Sequence, residues 1–144
     1  MALGFGTDGV RGQADEFTED FVIALGEAAA RVLGSSFVLG RDTRASGERI
    51  ERALAIGLSR GGAAVASLGV APTPAVAWVA ARHSICGAVI SASHNQWSDN
   101  GIKFFGPGGR KLSDAVEAEL EAALTQVLAA ADGAEVVGAD PDST

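Results

Sequence analysis

The sequence predicts an α/β protein of three layers, with helices on both faces of a mixed, mostly parallel sheet. Three observations carry that expectation. Short apolar runs bounded by turn residues alternate with amphipathic segments at helical spacing. The connection leading into GIKFF (Gly101 to Phe105) is too short for a crossover helix, so at least one strand pair is antiparallel. The 144 residues, 47% of them hydrophobic, suffice for one domain with its own core and not for several lobes.

The first helix is expected over Thr18 to Leu33. Thr18 is a suitable N-cap, Glu19 and Asp20 favour the positive end of the helix dipole, and Phe17 is placed to staple onto Val22. Phe21, Leu25, Ala28 and Val32 fall on one face, and Gly34 ends the run. SFVLG (Ser36 to Gly40) reads as a buried strand. A second helix runs from Ser46 to Arg60 with Ile50, Leu54 and Leu58 inward and Glu48, Glu51 and Arg52 outward, until Gly61 and Gly62 stop it. Ala63 to Gly69 is the next strand. A helix starting near Pro74 follows it, since proline suits a first turn. GAVIS (Gly87 to Ser91) and GIKFF are strands around a polar connection. Ser113 to Ala131 closes the domain as a helix capped by Ser113 and Asp114, with Val116, Leu120, Leu124 and Val127 inward. Residues 1–131 form the expected domain, and the acidic, glycine-bearing stretch 132–144 reads as a linker or tail.

Composition narrows the function classes. A formal net charge of −7 argues against a nucleic-acid surface, which needs a broad basic face. No run approaches the roughly 18 apolar residues that span a bilayer, and the N-terminus lacks the pattern of a secretory signal. The one cysteine, Cys86, lies in an apolar segment and reads as a small buried hydrophobe. These features together predict a cytoplasmic protein without a nucleic-acid or membrane partner. A small anionic ligand stays compatible, because both lysines, Lys103 and Lys111, follow the polar connection, and Arg11, Arg41 and Arg44 sit beside glycine-rich turns. Arg31, Arg49, Arg52 and Arg60 read as solvated helix faces.

Three polar segments are candidates to share one sheet edge: FGTDGVRG (Phe5 to Gly12), GRDTRASG (Gly40 to Gly47) and SASHNQWSDNG (Ser91 to Gly101). Loops at the carboxyl ends of strands are where open α/β sheets bind ligands. Each segment combines glycine, which lets backbone N–H groups face an anion, with hydroxyls and a cation or histidine. Each also has a plain structural reading as a turn, a strand-end salt cluster or Asx-type turn chemistry. Arg44 is open to either phosphate binding or pairing with Asp42. Trp78 and Trp97 read as core or interface aromatics, and His83 as a surface or helix-end residue.

Taken in order, FGTDGVRG, GRDTRASG, GVAPTPAVAW and ISASHN followed by DNGIKFF resemble the first domain of the α-D-phosphohexomutases, nearest the bacterial members that act on hexosamine phosphates. The resemblance implies that Ser93 carries a phosphoryl group. It would donate the group to a sugar phosphate and recover another from the resulting bisphosphate, moving phosphate between C6 and C1 of the hexosamine. It implies catalytic roles for Ser93, His94, Lys103 and Arg11, with Lys103 as general base or phosphoryl stabiliser and His94 as a proton-shuttling or orienting group. Arg11, Arg44, Asn95 and Lys103 are the implied phosphate-binding set, while Asn95, Asp99 and Asn100 read as shaping the loop rather than performing chemistry. Ser91 is the alternative acceptor. Close relatives that act on mannose or glucose phosphates, and a sugar-phosphate-binding module without catalysis, are the competing readings. A serine hydrolase is disfavoured because no G-x-S-x-G surrounds Ser93.

The chain departs from the family pattern where Gln96 and Trp97 follow Ser-His-Asn in place of proline and a smaller aromatic, which frees φ at position 96 and restores an N–H. The resemblance further implies domains II to IV outside these 144 residues, and Mg²⁺ in the complete enzyme. Within this chain only Ser93, through its phosphate, would reach that metal. An isolated first domain is therefore expected neither to hold Mg²⁺ nor to turn over substrate, and to be prone to dimerisation or swapping through uncovered apolar surface.

Overall fold

The computed structural model describes residues 4–6, 9–92 and 95–138, with side chains over 9–92 and 95–131. The order is β1 (Gly4–Gly6), β2 (Gly9–Gln13), a 3₁₀ turn (Ala14–Glu16), α1 (Glu19–Val32), β3 (Ser36–Arg41), α2 (Gly47–Arg60), β4 (Ala64–Val70), α3 (Thr73–His83), β5 (Cys86–Ile90), β6 (Asp99–Gly106), β7 (Arg110–Lys111) and α4 (Asp114–Gly138). The strands form one sheet in the order β1-β2-β6-β5-β3-β4, with β7 on β6 beyond β2. It is mixed: β2, β3, β4, β5 and β7 run one way, and β1 and β6 run the other.

The helices start and stop where local chemistry directs. The Thr18 hydroxyl accepts the Phe21 N–H at 3.2 Å, and the Ser113 hydroxyl accepts the Val116 N–H at 3.2 Å. Ser84 caps α3 in the left-handed region. On one face of the sheet, α1, α2 and α4 cover Phe37, Leu39, Ile90, Ile102 and Phe104. Ile50, Leu54 and Leu58 of α2 are fully buried there, each contributing about 1.5–3 kcal/mol relative to exposure. On the other face α3 covers Val38, Val89 and Phe105 through Val76 and Ala80. The three layers follow.

Several elements differ from expectation. FGTDGVRG is largely strand: β1 and β2 pair antiparallel, and β2 then pairs with β6. Its glycines conceal this, because Gly9, at φ +84°, takes a place where a Cβ would lie 2.1 Å from the Ile102 carbonyl oxygen. α4 continues past Ala131 to Gly138. The α3 layer stops short of the β4 edge, so Leu68 and Val70 stay exposed. Trp78 and Trp97 are 61% and 62% exposed, outside the core. Glu51 is turned inward, holding Arg41 at 3.1 Å and accepting the Ser67 hydroxyl at 2.7 Å.

Candidate functional site

The site is built at the edge where β3 and β5 end. These strands are parallel neighbours, with Arg41 paired to Ile90, so the segments that follow them leave the sheet side by side at Asp42 and Ser91. The Asp42 N–H donates to the Ile90 carbonyl at 3.1 Å, and the Ser91 N–H to the Gly101 carbonyl at 2.9 Å. β2 and the first half of β6 project past this edge as a ribbon, with Gln13 opposite Asp99 and Arg11 opposite Gly101.

Gly101 explains how Arg11 reaches the edge. A Cβ at position 101 would lie 3.1 Å from Arg11 Cγ and 2.8 Å from the Ser91 carbonyl oxygen, so the arginine stem lies over the glycine beside the start of the polar connection. Among the described residues, Arg11 Nε is the buried side-chain polar atom without a hydrogen-bond partner. An orphaned donor of this kind costs about 1–3 kcal/mol unless a ligand fills it. Lys103 stands two residues further along β6, hence on the same face as Arg11. Its ammonium rests 5.4 Å from the Phe105 ring centroid. With Lys111, Gly9 and Glu117, Lys103 also lines a cavity of about 20 Å³, room for roughly one water.

GRDTRASG proves to be a bracket for the connection after β5. Asp42 Oδ2 accepts both Arg44 Nε at 3.0 Å and the Ser91 hydroxyl at 2.7 Å, while Oδ1 accepts the Arg44 backbone N–H at 3.1 Å. The Arg44 guanidinium, 6% exposed, donates to the carbonyls of Gln96 at 2.5 Å, Asn95 at 3.2 Å and Asp99 at 3.3 Å, and lies 5.7 Å from the Trp97 ring centroid. Fully buried Asn100 donates to the Ser46 hydroxyl at 2.7 Å and accepts the Gly101 N–H at 2.9 Å. Asn95 is exposed, its amide nitrogen 3.5 Å from Asp99 Oδ2.

Of the residues singled out from the sequence, Arg11, Arg44, Ser91 and Asn95 thus gather at one edge, and Lys103 lies on the adjoining sheet face. Ser93 and His94 lie outside the described residues. Arg49, read as a solvated helix residue, instead donates to the carbonyls of Phe17 at 2.6 Å and Ala14 at 2.7 Å, tying the 3₁₀ turn to α2. No sequence signal marks such a tie, because its acceptors are backbone. Among the described residues, no three histidine, cysteine or acidic groups cluster to hold a metal ion, and Asp42 is already engaged by Arg44 and Ser91. These donors do not fit a magnesium site. Also among the described residues, no helix is long and apolar enough to cross a membrane.

Comparison with known proteins agrees with the resemblance. Residues 2–131 match the model of the phosphoglucomutase/phosphomannomutase α/β/α domain I. A phosphoglucosamine mutase of Deinococcus radiodurans is 55% identical over 131 residues, which is 85% of this chain and 29% of that protein. One from Alcanivorax borkumensis is 52% identical over 129 residues, again 85% of this chain and 29% of the relative. The crystal structure of a candidate phosphomannomutase from Thermus thermophilus superposes with a TM-score of 0.78 at 33% identity, covering 86% of this chain and 30% of that one. The chain therefore spans under a third of the length of these relatives.

Proposed function

The chain belongs to the phosphoglucomutase/phosphomannomutase family as an α/β/α domain I, and from that premise we propose that it is the phosphoserine-bearing domain of a phosphoglucosamine mutase. The reaction is transfer of a phosphoryl group between the C6 and C1 oxygens of glucosamine phosphate. Phosphorylated Ser93 gives its PO₃ unit to the free sugar hydroxyl: the Oγ–P bond breaks, a sugar O–P bond forms, and the hydroxyl proton passes to a base. The bisphosphate reorients, and the Ser93 oxygen takes the other phosphoryl group. Lys103 and His94 are the proton-handling groups, and Arg11 offsets charge on the phosphoryl oxygens. The names of the relatives, at 50% identity and above, support glucosamine phosphate over mannose or glucose phosphate.

One observation carries this reading: Arg11 lies over Gly101 beside the Ser91 carbonyl, with its buried Nε unpartnered among the described residues. A cation with a donor to spare thus stands beside the start of the connection that bears Ser93. Residues 1–131 are the proposed domain and 132–144 its acidic link onward. The specificity-determining groups and the protein ligands of Mg²⁺ belong to the rest of the enzyme, so this chain alone does not turn over. The test is incubation of the complete gene product with glucosamine 1,6-bisphosphate labelled in its phosphates. Label is expected on Ser93 by mass mapping and absent from Ser93→Ala. Equal labelling of Ser93→Ala refutes the assignment, and sugar-phosphate binding without label points to a non-catalytic module.

A further inference from the structure

From the contacts of Arg44 we infer that it is a positioning residue, which fixes the connection carrying Ser93 from outside and does not ligate the transferred phosphate. The inference rests on the phosphoserine reading for its catalytic meaning. Its geometry stands apart from that reading. A guanidinium has five N–H donors in a planar fork. Here Nε meets Asp42 Oδ2 at 3.0 Å, one terminal nitrogen spans the Gln96 and Asp99 carbonyls at 2.5 and 3.3 Å, and the other meets the Asn95 carbonyl at 3.2 Å. Three carbonyls within five residues, all aimed at one cation, determine the path of 95–99. Trp97, whose ring centroid is 5.7 Å from the guanidinium carbon, adds a contact from the same stretch.

The other end is tied by the same acid. Asp42 Oδ2 shares its lone pairs between Arg44 Nε and the Ser91 hydroxyl, so Ser91 before the reactive position and Asn95 to Asp99 after it are held through one Asp–Arg pair. Arg44 is only 6% exposed, and its backbone N–H is bound to Asp42 Oδ1 as well. A residue so enclosed is suited to holding a loop against the β3–α2 turn. Arg11 differs, with its Nε unpartnered among the described residues. Gln96 and Trp97, the two positions where this chain departs from its resemblance, both contact this guanidinium. The guanidinium thus steadies a stretch that carries no proline.

Two variants test the role. Arg44→Lys keeps the charge but cannot serve three carbonyls in one plane, and Asp42→Asn keeps the shape but weakens the Ser91 and Arg44 contacts. In this chain, hydrogen exchange at the Ser91, Asn95 and Asp99 amides is expected to quicken about tenfold in Arg44→Lys, while amides in α1 and α2 stay unchanged. In the complete gene product, kcat for glucosamine 6-phosphate is expected to fall about 10- to 100-fold with KM within twofold, since a misplaced nucleophile slows transfer without weakening substrate binding. Asp42→Asn is expected to show the same pattern, less strongly. A raised KM with unchanged kcat would make Arg44 a substrate ligand and overturn the inference, as would unaltered exchange at all three amides. Ser93→Ala separates the two levels: if it stays active, the phosphoserine reading falls whatever Arg44 does. If it is inactive while Arg44→Lys matches the parent, only the positioning role falls.

Discussion

Replacing Gly101 with alanine tests the junction between fold and site. The added Cβ would stand 2.8 Å from the Ser91 carbonyl oxygen, 3.0 Å from the Val10 carbonyl oxygen and 3.1 Å from Arg11 Cγ. Ordinary carbon contacts begin near 3.5 Å, so something must yield by about half an ångström, and two of the three neighbours are backbone. Overpacking of this size costs about 1–3 kcal/mol, offset by about 0.4–1 kcal/mol because alanine has less freedom to lose than glycine. The net loss is about 1–2 kcal/mol, or roughly 2–8 °C in Tm for a chain of this size. Gly106→Ala on the same strand is the control, since its nearest neighbour is the end of a side chain, Leu112 Cδ2, at 3.5 Å. Calorimetric melting of both variants of this chain should separate them. In the complete gene product, Gly101→Ala should also slow Ser93 labelling beyond what lost stability explains, because Ser91 and Arg11 are the groups displaced. Equal Tm values for the two variants, with parental labelling by Gly101→Ala, would remove the close approach from the account.

Two further outcomes concern the scaffold. Gly57→Ala should destabilise the chain by about 2–4 kcal/mol in urea unfolding although alanine favours helix, because its Cβ would meet the Ile23 carbonyl oxygen at 2.0 Å where α1 and α2 cross; a raised urea midpoint would contradict that crossing. Burial pushes the Cys86 thiol above its ordinary pKa, so iodoacetamide at pH 8 should alkylate the native chain on the order of 100-fold more slowly than the urea-unfolded chain. The stability linked to this thiol is complete below the unfolded thiol's pKa and is lost as pH rises through the folded value. Labelling of folded protein at the unfolded rate would place Cys86 at the surface.

The helical parts of the fold were legible because their signal is local. Ile50, Leu54 and Leu58 recur at helical spacing and are fully buried, and Thr18 supplies the cap its side chain advertises. β1 and β2 were not legible, since a glycine-rich segment becomes strand only when β6 offers it a partner. Arg49 and Glu51 looked solvated on a helical wheel, yet one reaches backbone carbonyls in the 3₁₀ turn and the other an arginine on β3. GRDTRASG stood out as a motif while its bracket-like use did not, because Arg44 acts on carbonyls, which every residue possesses. The end of α4 escaped for the opposite reason: Asp132 and Gly133 look like a helix stop, but the helical backbone passes through them.

The polar residues crowded between β5 and β6 divide by what they touch. Ser91 is engaged by Asp42, Asn100 by Ser46 and the Gly101 N–H, and the carbonyls of Asn95, Gln96 and Asp99 by Arg44. Even the Ser98 carbonyl is taken, by the Ala14 N–H at 2.9 Å. Residues fixed by this many partners lose little further freedom when a ligand arrives. The same pairing explains why such a segment is polar when it makes little core: its side chains and carbonyls satisfy one another and the β3–α2 turn. Ser91 and the stretch from Asn95 to Asp99 are thereby held as a frame, and Arg11, whose Nε is without a partner among the described residues, lies beside its start.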